Sequence, residues 1–321
     1  MKILIYDREK KAINLDAQKK DAVVLVKNPN YIMWVDIDEP QKEVMDWLKE
    51  TFGFHPLDLE DCVSLIERPK IDLYEDYHFL VMHFPIFDKV TRRLLPIQVN
   101  IFLGTNFLIT IRKGYIKALN KTLEDVSKNK ELLSKGTDYL LHKVIDDLVD
   151  YCFPILNKIR QNIQNAENTI FNGATRDTIK DILIIKRNII LFKNIIDPQR
   201  RILKEIEARD SEFISDELDV YFGDIVDHLD KIQDSLVSSG EMIESLHDAH
   251  QSIVSNRINE IMKTLTIISV IILPLTFISS MYGMNIVLPI AKNPFAFIII
   301  FSVMVLMGLG MFFYFKIKHW I

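Results

Sequence analysis

The chain is poor in glycine and cysteine. Ten glycines are spread over 321 residues, and none has the G-x-G-x-x-G or Walker spacing that cradles a phosphate. The two cysteines, Cys62 and Cys152, have no metal-binding spacing and predict no disulfide framework, which fits a reducing cytoplasm. No nucleophile, acid pair or nucleotide motif is visible. An enzyme is therefore the least expected class of protein.

Charged residues are missing from two long stretches near the C-terminus. Thr264 to Ala291 and Asn293 to Phe315 contain none, and a membrane-spanning helix needs roughly 20 predominantly apolar residues. We therefore predict three consecutive segments, namely a first transmembrane helix over 264–285, an external loop over 286–294 and a second transmembrane helix over 295–315.

Basic residues set the predicted orientation. Arg257 and Lys263 precede the first span, and Lys316 and Lys318 follow the second. The loop between the spans has only Lys292. By the positive-inside rule, both termini and the basic tail 316–321 are expected in the cytoplasm. We expect a multi-pass protein of the cell (plasma or inner) membrane, surrounded by lipid. The formal net charge of −5 argues against a nucleic-acid partner.

The first 130 residues predict a cytoplasmic α/β domain. Apolar runs such as FLVMHF and FLITIR are typical of strands that are buried on at least one face. Helical patterns lie between them over Gln41–Thr51 and Pro56–Leu65. The predicted strands cover residues 3–6, 22–26, 31–37, 70–74, 78–84, 97–103 and 107–112.

Residues 131–263 predict long helices that continue into the membrane. Leu141 to Ile163 carry apolar residues three or four apart, and Pro154 should kink that helix. The Asn172-Gly173 pair predicts a turn to a second helix, which Pro198 should end or bend. A last helix runs from about Asp216 into the first span. The predicted fold class is thus α+β/α: an α/β cytoplasmic domain, then long helices, then two transmembrane helices.

The last cytoplasmic helix has a lopsided charge. Between Lys204 and Asp248 there are fourteen acidic residues against three basic ones. A solvated helix face explains any single carboxylate, but a field of this sign next to a membrane helix concentrates cations.

Several segments, taken in order, resemble the CorA family of magnesium transporters. The most specific is Tyr282-Gly283-Met284-Asn285, directly after a span that contains Pro274 and just before a second span. Others are Leu59-Glu60-Asp61 with Arg68-Pro69-Lys70, Tyr221-Phe222-Gly223-Asp224, Asn259 to Thr266 and Leu273 to Ile278. The resemblance covers nearly the whole chain.

The resemblance implies a homopentameric channel whose first span lines a central pore. One stripe of that span alternates small or polar residues with apolar ones. Pore lining explains this pattern, and close helix packing through small residues is the alternative explanation. The predicted pore-lining residues are Asn259, Met262, Leu265 (or Thr266), Ser269, Leu273, Thr276 and Ser280.

Magnesium chemistry suits such a pore. Mg²⁺ gives up water reluctantly and prefers hard oxygen ligands, so Gly283, Met284 and Asn285 could bind the hydrated ion through neutral oxygens. Rings at Met262, Leu265 and Leu273 could stop ions by dewetting. The loop over 286–297 lacks the acidic residues that family members often carry there, so selection rests more on Asn285. The choice of Mg²⁺ over Co²⁺ or Ni²⁺ stays open.

The resemblance also implies closure by cytoplasmic magnesium. Asp61 of one subunit would face Asp248 of the next, with Glu60 and Asp224 nearby, and a divalent ion would turn the repulsion between carboxylates into attraction.

Two alternatives stay open. The first is a zinc-transporting relative of the same architecture, which His247 and His250 beside Asp248 support. A membrane-anchored metal sensor or scaffold without transport is the second.

Overall fold

The computed structural model describes residues 1–64, 67–171, 176–207, 213–285 and 293–320. The chain divides into two compact units, Met1–Leu246 (unit 1) and His247–Ile321 (unit 2). Unit 1 holds a mixed sheet and most of the helices. Unit 2 holds the apolar helices near the C-terminus.

A seven-stranded sheet organises unit 1, in the order β2-β1-β3-β7-β6-β5-β4. Neighbouring strands pair antiparallel except β3 and β7, which run parallel. The strands are β1 Lys2–Asp7, β2 Ala12–Asn14, β3 Tyr31–Ile37, β4 Lys70–Leu73, β5 His78–Asp88, β6 Arg93–Leu103 and β7 Phe107–Arg112.

Both faces of the sheet are covered by helices. Side chains alternate between the faces of a strand, and β3 sends Met33 and Val35 into one apolar cluster and Ile32 and Trp34 into another. The first cluster lies under α1 Lys19–Leu25, α2 Lys42–Phe52 and α3 Pro56–Val63. The second contains residues of α4 Lys117–Lys128, α5 Lys130–Ser134, α6 Thr137–Asp150, α7 Cys152–Phe171, α8 Arg176–Glu207 and the first part of α9 Asp219–Tyr282.

The predicted α/β domain and its long helices are confirmed, with one strand wrong. Residues 22–26, predicted as a strand from their valines, form the end of helix α1 up to Leu25 and its C-cap, Val26. The Asp21 carboxylate accepts a hydrogen bond from the Gln18 backbone N–H at 2.8 Å and so starts that helix. Val23 and Val24 are exposed, because α1 covers the sheet only through a few of its residues.

The prolines of the long helices act in two ways. The predicted kink near Pro154 is a break at Tyr151 between α6 and α7, since Pro154 has no N–H to donate to the carbonyl four residues earlier. Pro198 does not end α8, which continues to Glu207. Beyond it, the fully buried Gln199 donates from Nε2 to the His83 carbonyl at 2.7 Å, and this contact holds the helix against β5. The predicted turn at Asn172-Gly173 lies outside the described residues.

Unit 2 contains two helices long and apolar enough to cross a membrane. The first is the C-terminal part of α9, which ends at Tyr282 and contains Pro274. The second is α10, Ala296–Ile317. Lys292 and the rest of 286–292 fall outside the described part of the chain.

Candidate ion pathway and metal-binding residues

Within unit 2, α9 has one covered side and one exposed side. Ile267 is only 5% exposed, and Leu275 lies beside α10, where a Cβ added at Gly308 would be 3.6 Å from Leu275 Cδ1. Since successive residues turn by about 100° around a helix, the predicted pore stripe falls on the other side. All its members are exposed in the single chain: Asn259, Met262, Leu265, Ser269, Leu273, Thr276 and Ser280. Their role in a pore stays a prediction.

The hydroxyls of this span bond to their own helix. Ser269 Oγ donates to the Leu265 carbonyl at 2.9 Å, and Thr276 Oγ1 donates to the Ile272 carbonyl at 2.9 Å. Each hydroxyl thereby uses its single proton and keeps its lone pairs as acceptors. An exposed stripe of this kind offers oxygen acceptors without charge, and the water shell of a cation donates to such acceptors.

Glycine suits position 283, directly after the last residue of α9, for a steric reason. The Gly283 N–H donates to the Ser279 carbonyl at 3.0 Å, and a Cβ at Gly283 would lie 3.3 Å from that same oxygen. A larger residue would therefore push the backbone at this turn. Met284 and Asn285 follow as exposed residues, so a neutral amide and backbone carbonyls lie at the end of the stripe.

The other end of the apolar part of α9 is basic and aromatic, together with the residues that follow α10. Lys263 Nζ donates to the His319 carbonyl at 3.2 Å and lies 5.9 Å from the centre of the Trp320 ring. Trp320 stacks on Phe315 at 5.7 Å. Tryptophan and lysine are the residues that favour a membrane–water boundary.

Asp61, one of the predicted metal ligands, lies in an ion-pair network of unit 1. Its Oδ2 is 2.8 Å from Lys70 Nζ, which is also 2.6 Å from Asp72 Oδ2. Burial by itself lowers the pKa of Lys70, but the hydrogen bonds to Asp61 and Asp72 outweigh burial and raise that pKa above its ordinary value. Glu60, the neighbouring predicted ligand, is exposed.

A buried carboxylate fixes the helix that carries Asp61. Asp58 of α3 is 1% exposed and accepts hydrogen bonds from Tyr77 at 2.8 Å and Tyr74 at 3.1 Å. Burial raises the pKa of Asp58, and the two tyrosine hydroxyls oppose that rise. The Tyr77 oxygen also accepts the backbone N–H of His55, at the start of α3. The position of α3 is thus determined by hydrogen bonds in the interior.

Asp224 lies next to a group that the sequence did not single out. Asp146, Asp150 and His228 each place a possible ligand atom within 4.8 Å of the others. Asp224 Oδ2 is 3.7 Å from His228 Nε2. Burial and the Asp150 charge raise the pKa of Asp146. The signal was present as two i, i+4 pairs, Asp146 with Asp150 on α6 and Asp224 with His228 on α9.

The residues around Asp248 are less suited to a zinc site. Asp248 is exposed, whereas His250 is 3% exposed. His247 Nε2 is 2.9 Å from the Gln251 amide nitrogen. One histidine ring is thus buried and the other is paired within its own helix.

Two known transport proteins are similar to this chain over most of its length. The cobalt/magnesium transport protein CorA of Thermotoga maritima is 32% identical over 291 residues, which are 90% of this chain and 83% of that protein. The zinc transport protein ZntB of Yersinia enterocolitica is 18% identical over 302 residues, 94% of this chain and 90% of that protein.

A solved structure shares the fold over the full length. The complete structure of the CorA magnesium transporter from Methanocaldococcus jannaschii covers 100% of this chain and 99% of its own, with a TM-score of 0.88 and 21% identity. The family model of the CorA-like Mg²⁺ transporter protein matches residues 29–317. The chain therefore belongs to the CorA-like Mg²⁺ transporter family.

Proposed function

We propose that the protein is a homopentameric channel that carries Mg²⁺ into the cytoplasm through a pore lined by α9. The observation that carries this proposal is the exposed stripe of α9, from Asn259 to Ser280, which offers neutral oxygen acceptors on the side turned away from Leu275. A single chain leaves the polar groups of this stripe uncovered in the apolar, C-terminal part of α9. Five copies around an axis would turn it towards water.

The membrane potential supplies the driving force. A potential of about 100 mV is worth about 2.3 kcal/mol for each charge, so a divalent ion moves inward without ATP. Orientation follows from the basic residues Arg257, Lys263, Lys316 and Lys318, which put both termini in the cytoplasm.

Asn285 is the proposed outer selectivity ring. Its amide oxygen is neutral, so it would bind the waters of a hydrated Mg²⁺ weakly enough for the ion to leave. Gly283 and Met284 would add backbone carbonyls at the same turn. The name of the Thermotoga maritima relative supports both magnesium and cobalt as substrates, and Ni²⁺ is tested with them.

The test of this ring is ion flux into liposomes that contain the purified full chain. We expect Asn285→Ala to abolish Mg²⁺ uptake while the oligomer stays assembled. Asn293→Ala is the matched control, because Asn293 is an asparagine at the start of the second span whose Oδ1 accepts the Phe295 N–H at 2.9 Å. Wild-type flux in Asn285→Ala would contradict the assignment. No flux of any divalent ion in the wild type would favour a sensor or scaffold instead.

Internal Mg²⁺ is the proposed closing signal. The acidic residues Asp61 and Asp248, with Glu60 and Asp224, would bind it between subunits. Asp224 and its neighbours Asp146, Asp150 and His228 support a cation in this part of unit 1, because the group combines oxygen and nitrogen ligands. Closure at high internal Mg²⁺ has the sign that a homeostatic channel needs.

Protease protection tests the closing signal. We expect Mg²⁺ to protect the wild-type chain, and Asp61→Ala and Asp248→Ala to lose that protection while they keep transport. Full protection at wild-type Mg²⁺ concentrations in both variants would remove the sensor role from these residues.

Zinc transport is the second candidate, supported by the likeness to ZntB. The burial of His250 and the pairing of His247 with Gln251 argue against a zinc site there. Flux measured with Zn²⁺ and compared with flux of Mg²⁺, Co²⁺ and Ni²⁺ distinguishes zinc transport from magnesium transport.

A further inference from the structure

We propose that Lys70 is a built-in competitor for the Mg²⁺ that binds Asp61, and that it sets the internal Mg²⁺ concentration at which the channel closes. This inference rests on the proposed function, since Asp61 is there a ligand of the closing ion.

The Lys70 ammonium is paired with the Asp61 carboxylate, which is the group that the Mg²⁺ ion would bind. Lys70 Nζ lies 2.8 Å from Asp61 Oδ2, and the Asp61 side chain is 19% exposed. A carboxylate has two oxygens and about four acceptor positions, so Lys70 blocks one oxygen directly. Its charge repels a divalent ion from the other oxygen as well.

The place of Lys70 is set by the sheet. It begins β4, where it pairs with Val81 of β5, and its ammonium lies 5.5 Å from the centre of the Phe79 ring. Asp72 is two residues further along the same strand, hence on the same face, and holds the ammonium from its other side at 2.6 Å. The ammonium is therefore positioned between two carboxylates.

The backbone of Asp61 is held separately from its side chain. The Asp61 carbonyl accepts hydrogen bonds from Gln98 Nε2 and Ser64 Oγ, each at 3.0 Å. The end of α3 is also held by Lys113 Nζ, which donates to the Ser64 carbonyl at 2.9 Å. Loss of the Lys70 contact would thus free the carboxylate without releasing the helix.

Two cations of different charge then compete for one carboxylate. When internal Mg²⁺ is low, Lys70 neutralises Asp61 and reduces repulsion between carboxylates at the subunit boundary. When Mg²⁺ is high, the divalent ion replaces the ammonium, which stays paired with Asp72. A lysine at this position therefore raises the concentration of Mg²⁺ needed for closure.

The test is the Mg²⁺ concentration that gives half-maximal protease protection of the full chain. Lys70→Met keeps most of the aliphatic stem over Phe79 and removes the charge. We expect its midpoint to fall about tenfold, the order expected when one unit charge a few ångströms from a divalent ion is removed near the surface. Lys70→Arg keeps the charge and should stay close to the wild-type midpoint.

Asp72 provides a second test through a double-mutant cycle. Asp72→Asn should raise the midpoint, because Lys70 then pairs with Asp61 alone, and it should have little effect in the Lys70→Met background. Equal effects of Asp72→Asn in both backgrounds would overturn the competition.

The outcomes separate this inference from the proposed function. A wild type without Mg²⁺-dependent protection would remove the sensor and the Lys70 inference together. A wild type that is protected, with an unchanged or higher midpoint in Lys70→Met, would overturn the role of Lys70 alone. A higher midpoint with a lower Tm in the absence of Mg²⁺ would mean that Lys70 only holds α3 in place.

Discussion

The two units contain similar apolar residues but bury them differently. In unit 1 the large rings of Trp34, Phe79 and Phe102 are fully buried. In unit 2, helix α10 has no buried residue among those described, and Phe297 and Leu306 are 78% and 71% exposed. The surface of a monomeric soluble protein rarely carries an apolar patch of that extent. A single chain therefore buries the apolar residues of unit 1 only. Lipid or further copies of the chain must cover those of unit 2.

Polar groups differ between the units in the same way. Unit 1 buries an ion pair, in which Arg112 is 2.9 Å from Asp36, and Thr110 donates to the same carboxylate at 2.7 Å. In unit 2 the hydroxyls of Ser269 and Thr276 bond to the backbone of their own helix. The Asp36 group of unit 1 finds its partners on another strand, whereas these two hydroxyls of the apolar helix find theirs within that helix.

The largest expected effect on stability comes from the core of unit 1. Phe102 stacks on Phe54 at a ring distance of 4.0 Å and is fully buried, so Phe102→Ala should cost about 3–5 kcal/mol of unfolding free energy. Ile299→Ala on α10, where the side chain is 40% exposed in the chain, should cost less than about 0.5 kcal/mol in detergent. Urea unfolding of the full chain measures both. Equal losses would remove the contrast between the units.

The next effect concerns the hydrogen bonds around Asp58. Tyr77→Phe removes the hydroxyl that donates to Asp58 and accepts from His55, and should cost about 1–3 kcal/mol at neutral pH. Tyr74→Phe is the matched control, since that hydroxyl donates to the same carboxylate at 3.1 Å and is less enclosed.

The cost of Tyr77→Phe should depend on pH. Burial raises the pKa of Asp58 in the folded chain, so its contribution to stability is present at low pH and is lost as the pH rises through that raised pKa. Without the Tyr77 hydroxyl the pKa rises further. The destabilisation should therefore be smaller near about pH 4 than at neutral pH. A loss that is constant with pH would mean that the tyrosine acts only by packing.

The smallest effect in free energy concerns the open stripe of unit 2. Leu273→Asn places an amide in the proposed dewetting constriction and should raise flux at high internal Mg²⁺ by about fivefold, or about 1 kcal/mol. Ile268→Asn is the matched control, because Ile268 is exposed on α9 but lies off the stripe. Unchanged flux in polar variants of Leu273, Leu265 and Met262 would place the gate elsewhere.

Sequence patterns predicted the strands of unit 1 well where burial was strong. Tyr31–Ile37 and Phe107–Arg112 have the predicted bounds, because they are central strands buried on both faces. Residues 22–26 failed, since two exposed valines in a short helix have the composition of a strand. Of the two predicted effects of Pro198, an end of the helix is excluded, because α8 continues to Glu207 and Gln199 is held by a distant strand.

The sequence by itself determined the family, the α/β unit, the two apolar helices and the stripe of α9, since periodicity, uncharged length and motif order are local properties. The tertiary structure alone decided which side of α9 is covered, that Lys70 pairs with Asp61, and that Asp146, Asp150 and His228 meet. Those facts depend on how distant segments pack against each other. The partners lie in different helices or strands, which leaves no mark in a local pattern, so only the packed chain brings their charges together.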